Sequence, residues 1–361
     1  MNLTQIDKNL ASNNGINKDD IKFYPASCGE FNIFGLYEPY GKNTFTRMPT
    51  EVADIVSEGV KRLNHISTGA RIRFKTNSKY VAVRSEFHDP TFVANAKSSL
   101  VSTSGMDLYV VENGVEHYYN TFVPPVEFGG YYDALIEFYD SSERELIIYL
   151  PKTNCTTNLE IGLSGKAYIK KASYKYENPI LFYGSSITQG GCATRPGNIY
   201  PCMIARHFDT DIVNLGFSGS CKAEDLMIEY LAKQEMSILV YDYDHNAPSA
   251  EHLKNTHEKL FKAFRETHPT TPVIIMSKTD LPKNPIEFEA TQKRKEIILE
   301  TYNNAINAGE KNVYFIDGQQ IFNMLAGFDC TVDGCHPNDI GFLCMANSVI
   351  KVIEENKLLE K

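Results

Sequence analysis

Residues 179–191, PILFYGSSITQGG, restrict the fold of this chain more than any other stretch. Ile180, Leu181, Phe182 and Tyr183 form an apolar run of β-branched and aromatic side chains. It stops at Gly184, and two serines then lead into a segment able to open a helix. Strand, sharp turn and helix in so few residues belong to an open α/β sheet, whose ligands bind at the carboxyl ends of the strands. Ser186 then stands where groups from neighbouring strands can meet it, and it is the candidate nucleophile.

The rest of the chain divides around that stretch. Beyond Pro179, apolar strand patterns at 180–184, 211–217, 237–243, 272–277 and 312–317 alternate with helical patterns. The helical segments cover about 198–208, 222–234, 249–267 and 286–308, with a closing helix near 338–356. This alternation predicts a parallel sheet covered on both faces. Before residue 176 the pattern is one of short strands. GARIRFKT (69–76) and KYVAVRSEF (79–87) flank Asn77-Ser78, and Asn113-Gly114 sits between two β-rich runs as a type I′ hairpin turn. Further strands at 145–150, 159–163 and 166–171 complete an antiparallel sandwich. One helix is expected at about 50–63, where Val52, Ile55, Val56, Val60 and Leu63 recur at helical spacing. Residues 1 to about 20 are polar and expected to be loose. A length of 361 residues exceeds the usual single core, so two domains are expected, 1–176 and 177–361.

Charge and cysteine usage exclude several classes of function. The chain carries 36 Lys and Arg against 45 Asp and Glu, a net charge of −9, with no basic tract to hold nucleic acid or an anionic membrane. No run approaches the ~20 apolar residues of a membrane span, and the N-terminal segment lacks the apolar centre of a secretory signal, so a cytoplasmic protein is expected. Its eight cysteines have no C-x-x-C spacing, which suits reduced thiols. Composition leaves a homo-oligomer open.

Four turns at the predicted carboxyl edge carry polar groups. Ser186 follows the first strand, and FSGS with Gly219 follows the second. DHNA with Asn246 follows the third, and TVDGCHPND with Asp333 and His336 follows the last. Acyl transfer needs a hydroxyl activated by an imidazole, a carboxylate to hold that imidazole, and donors for the developing oxyanion. His336 would take the Ser186 proton while Asp333 accepts from the other ring nitrogen. The oxyanion would meet the Ser186 and Gly219 N–H groups and the Asn246 amide.

GSSITQG, the glycine of FSGS, the asparagine of DHNA and the D-x-x-H of DGCH resemble the four blocks of the SGNH (GDSL-type) hydrolases, in family order. Gly105-Met106-Asp107-Leu108-Tyr109 resembles the GxDLY signature of the β-sandwich that precedes some bacterial members. The arrangement is also similar to carbohydrate esterase family two, in which a jelly-roll domain precedes the hydrolase domain. The resemblance implies a flavodoxin-like α/β hydrolase domain behind a β-sandwich. It implies an O-acyl esterase that needs no cofactor and whose substrate is a small acylated, most often acetylated, sugar or oligosaccharide. Lysophospholipase or thioesterase activity is the alternative within the same chemistry, and a catalytically silent carbohydrate-binding protein the alternative outside it. The chain departs from the family at Ser185, where the GDS pattern has aspartate, and at Asp244-His245-Asn246-Ala247, where the pattern is G-x-N-D.

Each candidate also has a structural reading. Ser186 could cap the following helix, although Ser185 is the better cap; Gly219 could serve only a positive φ; Asn246 could form an Asx turn. His245 is a rival base, but side-chain alternation along an extended segment would turn it away from Asn246. Cys330, Asp333, Cys335 and His336 do not have zinc spacing, so no metal is expected. Arg195 is placed at the mouth of the site as a substrate-binding residue, with solvated surface the competing reading. Asp107 and Tyr109 are assigned to the sandwich's own packing and turn chemistry; Tyr118, Tyr119, Tyr131 and Tyr132 are assigned to core packing, with stacking on sugars the competing reading.

Overall fold

A computed structural model describes residues 7, 12–88, 97–279, 281–323 and 327–359. The expectation that residues 1 to about 20 are loose lies outside the described residues for 1–6 and 8–11. Over 12–20 it is corrected, because the amides of Asn13 and Asn14 donate to the carbonyls of Thr121 (2.9 Å), Val123 (2.7 Å) and Asp133 (3.0 Å) and Asn14 bridges Ala134. Three sheets organise the chain. The first has the order β1-β9-β4-β7: β1 (Ile21–Pro25), β9 (Cys155–Ser164), β4 (Tyr80–His88) and β7 (Tyr131–Glu137). The second has the order β10-β3-β8-β5-β6: β10 (Ile169–Lys171), β3 (Arg71–Thr76), β8 (Arg144–Tyr149), β5 (Met106–Glu112) and β6 (Val115–Phe122). In it β2 (Asn32–Phe34) also pairs with β3. Both are antiparallel throughout. The third is parallel, in the order β12-β11-β13-β14-β15. Its strands are β11 (Tyr176–Gly184), β12 (Thr210–Gly216), β13 (Ile238–Asp242), β14 (Val273–Met276) and β15 (Val313–Ile316). This is the flavodoxin-like order, which leaves a crevice beside β11 where the connections reverse direction.

The two antiparallel sheets pack face to face. Val81, Val83 and Phe87 of β4 and Ile161 and Leu163 of β9 meet Ile72, Phe74, Leu108, Leu146 and Ile148 from the other sheet. The alternate residues of β5 and β8 do not reach solvent. Tyr109, Ile147 and Tyr149 instead join the core formed with Ile180, Phe182, Ile199, Tyr200 and Ile204 of the parallel-sheet half. The inner strands β5 and β8 of that sheet are thus covered on both faces, which is why β8 ends in the unbroken apolar run LIIY rather than in alternation.

Three arginines from the N-terminal half fasten the interface to the edge strand β12. Arg47 is fully buried and donates through Nη1 to the carbonyls of Asn214 (2.8 Å) and Gly216 (2.7 Å), and through Nη2 to Leu63 O (2.7 Å). Arg71 pairs with Asp211 and donates to Tyr174 Oη at 3.0 Å, and Arg73 bonds Asp209 at 2.6 Å. These contacts cover an edge that would otherwise offer unpaired backbone groups.

Several sequence expectations are corrected. The helix expected at 50–63 is two, Thr50–Val56 and Glu58–Leu63, because Ser57 is extended and its hydroxyl accepts from Val60 N, capping the second. Strands β1, β2 and β7 went unread. The turn at Asn113-Gly114 has both residues at positive φ (54° and 80°), as a type I′ hairpin requires. Tyr132 is buried, but Tyr118, Tyr119 and Tyr131 are exposed. Among the described residues no helix is long and apolar enough to cross a membrane.

Candidate active site

Because the sheet is parallel, the ends of β11, β12 and β13 open at one edge. β11 ends in Gly184, where a Cβ would run into Asp242 Oδ1 and Thr188 Oγ1, so only glycine lets the chain turn there. Ser185 follows as helix cap, its hydroxyl accepting from Ile187 N at 3.2 Å. That leaves Ser186 at the first helical position, with its own hydroxyl turned to the cleft.

Ser186 Oγ lies 3.0 Å from His336 Nε2, and His336 Nδ1 lies 2.9 Å from Asp333 Oδ2. The serine and histidine are 150 residues apart in the chain. The tight loop between Thr331 and Pro337 holds the other two groups. Asp333 Oδ1 accepts from the N–H groups of His336 (2.8 Å) and Cys335 (3.0 Å), so the carboxylate that orients the imidazole also folds the loop bearing it. Partial burial works against the Asp333 charge. Hydrogen bonds from Lys97, from the His336 backbone and ring and from the Cys335 backbone outweigh it, holding the carboxyl well below the usual range.

The oxyanion candidates follow the ends of β12 and β13, the two strands that flank β11. Gly219 has φ +69°, and its N–H meets no acceptor among the described residues. The turn that carries it is held by Gln189, whose Oε1 accepts from Ser218 N at 3.0 Å. Asn246 Oδ1 accepts from Cys221 N at 3.3 Å, which fixes the amide against the same turn and leaves Nδ2 as its second face. Asn246 closes a short 3-10 turn, Tyr243–Asn246, while Ser249 caps the helix that follows. The segment is therefore not extended. His245 is directed elsewhere, with Nδ1 at 3.7 Å from Cys335 Sγ.

A cleft of about 290 Å³ opens over Ser186 and His336. Its walls include Leu63, Ile66, Gln189, Gly191, Cys192 and Ser218, with Arg62, Lys97 and Lys152 supplying positive charge. A larger hollow of about 590 Å³ on the sandwich side holds His65, Glu86 and His88 but no serine. Among the described residues no group of three His, Cys, Asp or Glu is arranged to hold a metal ion.

Arg195 does not line the cleft. Its guanidinium bonds Asp107 Oδ2 (2.9 Å) and Tyr109 Oη (2.7 Å) and lies over the Tyr118 ring at 3.9 Å. Asp107 Oδ2 also accepts from Gly197 N at 2.7 Å, and Oδ1 from Thr121 Oγ1 at 2.7 Å. Asp107 and Tyr109 thus serve the contact between the two halves rather than the sandwich alone. Burial raises the Asp107 carboxyl while Arg195, Thr121 and Gly197 pull it down. Arg62, Lys97, Lys152 and Gln189 are among the cleft residues that sequence reasoning missed; no spacing links the arginine and the two lysines to the serine turn.

The GDSL-like lipase/acylhydrolase family model matches residues 177–354, and the model for the N-terminus of SGNH-type esterases, named GxDLY, matches 21–169. The chain is a GDSL-type carboxylic ester hydrolase. No curated protein matches its sequence. Among solved structures, this esterase resembles a Bacteroides ovatus protein described as a GDSL-like lipase, with 29% identity and a TM-score of 0.83 over 94% of this chain and 98% of that one. It shares its fold with the salicylyl-acyltransferase SsfX3 of a tetracycline biosynthetic pathway (17% identity, TM-score 0.76, 95% and 99% covered). The same holds for the acetyl xylan esterase Est2A of the rumen bacterium Butyrivibrio proteoclasticus (12%, 0.58, 93% and 98%).

Proposed function

We propose that this esterase removes short O-acyl groups, acetyl foremost, from carbohydrates through an acyl-enzyme. Ser186 Oγ attacks the ester carbonyl as His336 Nε2 takes its proton, and Asp333 keeps the imidazole in the tautomer protonated at Nδ1. The oxyanion is met by the Ser186 and Gly219 N–H groups and by Asn246 Nδ2. His336 then protonates the departing alcohol, the acyl group stays on Ser186, and water activated by the same imidazole releases the acid.

The reading is carried by the Ser186–His336–Asp333 relay at 3.0 and 2.9 Å. A cleft of about 290 Å³ lies at the small end of ligand sites and suits a short acyl chain better than a lipid tail. The sugar half of the proposal is supported by the shared fold with an acetyl xylan esterase. Two experiments test it. Hydrolysis of p-nitrophenyl esters from acetate to palmitate should favour the short chains, with acetate released from acetylated xylan; a strong preference for long chains would overturn the carbohydrate reading. A fluorophosphonate should label the wild type and not Ser186→Ala, and labelling that persists in the variant would remove Ser186 as nucleophile.

A further inference from the structure

We infer that the cleft takes esters that carry an anionic group, a carboxylate or phosphate, close to the scissile bond. The inference rests on the esterase reading and narrows its substrate.

The charge of the cleft is opposite to that of the chain. The protein as a whole carries −9, yet among the described residues the side chains lining the cleft include Arg62, Lys97 and Lys152 and no aspartate or glutamate. Lys97 is partly neutralised by Asp333, which it contacts. Arg62 is exposed at the end of the Glu58–Leu63 helix and adds positive charge at the wall of the cleft.

Lys152 decides the argument. It is 1% exposed, and its ammonium donates to Gly191 O at 2.9 Å, two residues beyond the helix that Ser186 begins. Among the described residues no carboxylate lies within ion-pair distance of it, and Asp339 acts on its charge only from beyond that distance. Burying an ammonium costs several kcal/mol unless an opposite charge accompanies it, and a single carbonyl is weak compensation. Burial accordingly lowers its pKa to about 8. A carbonyl bond alone could be made by a neutral donor. A lysine here, with three donors and one acceptor met, is explained by an anion that arrives with the substrate and completes the pair as water leaves.

The anion can belong to the alcohol or to the acyl group, and two pairs of esters separate these sources. Phenyl acetate is compared with 3-carboxyphenyl acetate, and p-nitrophenyl butyrate with mono-p-nitrophenyl succinate. In at least one pair the wild-type kcat/KM should favour the anionic member about tenfold, as one charge-assisted hydrogen bond allows. Lys152→Met and Arg62→Met should each cut that ratio several-fold, and added salt should lower it too. Arg62→Met, an exposed change, carries the test should Lys152→Met fail to fold. Ratios at or below one in both pairs, or a ratio that survives both variants, would overturn the inference. Brisk turnover of the neutral esters without preference for the anionic ones overturns it and leaves the esterase reading standing. No turnover of any of the four overturns both.

Discussion

The parallel sheet and the antiparallel sandwich border one cleft and contribute different things to it. The sheet brings the groups proposed to carry the chemistry: Ser186, Gly219 and Asn246 follow the ends of three adjacent strands, and Asp333 and His336 come from a loop beyond the last strand. The sandwich half brings a wall, with Leu63, Ile66 and Thr153, and three cations, Arg62, Lys97 and Lys152. Topology explains the division. Parallel strands all end at the same edge, so turns distant in sequence converge; antiparallel strands send successive turns to opposite edges and cannot gather a relay in this way. What strands covered on both faces can do is present a rigid surface. The comparison teaches that reactivity here follows from strand direction, and the shape and charge of the cleft from docking.

The largest effects should come from the sheet's side. Ser186→Ala or His336→Gln should lower kcat by on the order of 10⁴-fold or more on p-nitrophenyl acetate, with folding intact by circular dichroism. Asn246→Ala should cost about 10²–10³ in kcat with KM little changed, since an oxyanion donor acts mainly in the transition state. A loss confined to KM would move Asn246 from the reacting centre to substrate binding.

Breaking the contact between the halves should show in stability first. Asp107 is fully buried and Arg195 mostly so. Asp107→Asn leaves a mostly buried guanidinium without its counter-charge, and a loss of about 3 kcal/mol in urea unfolding is expected. An unchanged midpoint would show that the hydrophobic contact of Tyr109, Ile147 and Tyr149 is sufficient. A smaller effect concerns Asp242, buried beneath the serine turn and bonded to Thr188 Oγ1 and Tyr200 Oη. Burial pushes its pKa up to about 7. The folded-state value lies above the unfolded one, so the folded chain holds the extra proton between about pH 4 and 7 and loses stability as pH rises through that window. Asp242→Asn should therefore gain Tm relative to wild type from pH 4 to pH 7, and a gap constant with pH would mean that the carboxyl is ionised throughout.

What could be read in the sequence follows the same division. GSSITQG, FSGS, DHNA and DGCH are legible because each sits in a turn beyond an apolar strand, and a parallel sheet turns strand ends into neighbours without further information. Strands β1 and β7 are hidden because they lie at the edges of their sheet, partly exposed, and β1 ends in Pro25, which an edge tolerates. Arg195 was misplaced for a related reason. Its nearness in sequence to Ser186 suggests the cleft, but its charge is settled by Asp107, 88 residues earlier and on a strand that the second half of the chain covers. Lys152 is equally opaque, since a lysine after Leu150 and Pro151 reads as a solvated turn until the second half of the chain covers it.

The smallest expected effect bears most directly on the comparison. Lys97 reaches across from the sandwich half, 236 residues away in sequence, to the same Asp333 oxygen that receives His336 Nδ1. If the halves are divided as argued, this contact trims the relay without running it. The Lys97 side chain is 49% exposed, and exposed ion pairs are worth about 0–1 kcal/mol, less in salt. Asp333 also keeps the backbone N–H groups of Cys335 and His336, which hold it in place without the lysine. Lys97→Met should therefore reduce kcat/KM on p-nitrophenyl acetate by no more than about fivefold, and the difference should shrink as ionic strength rises. A loss approaching that of His336→Gln, insensitive to salt, would place a sandwich residue inside the relay and erase the line between the half that reacts and the half that selects.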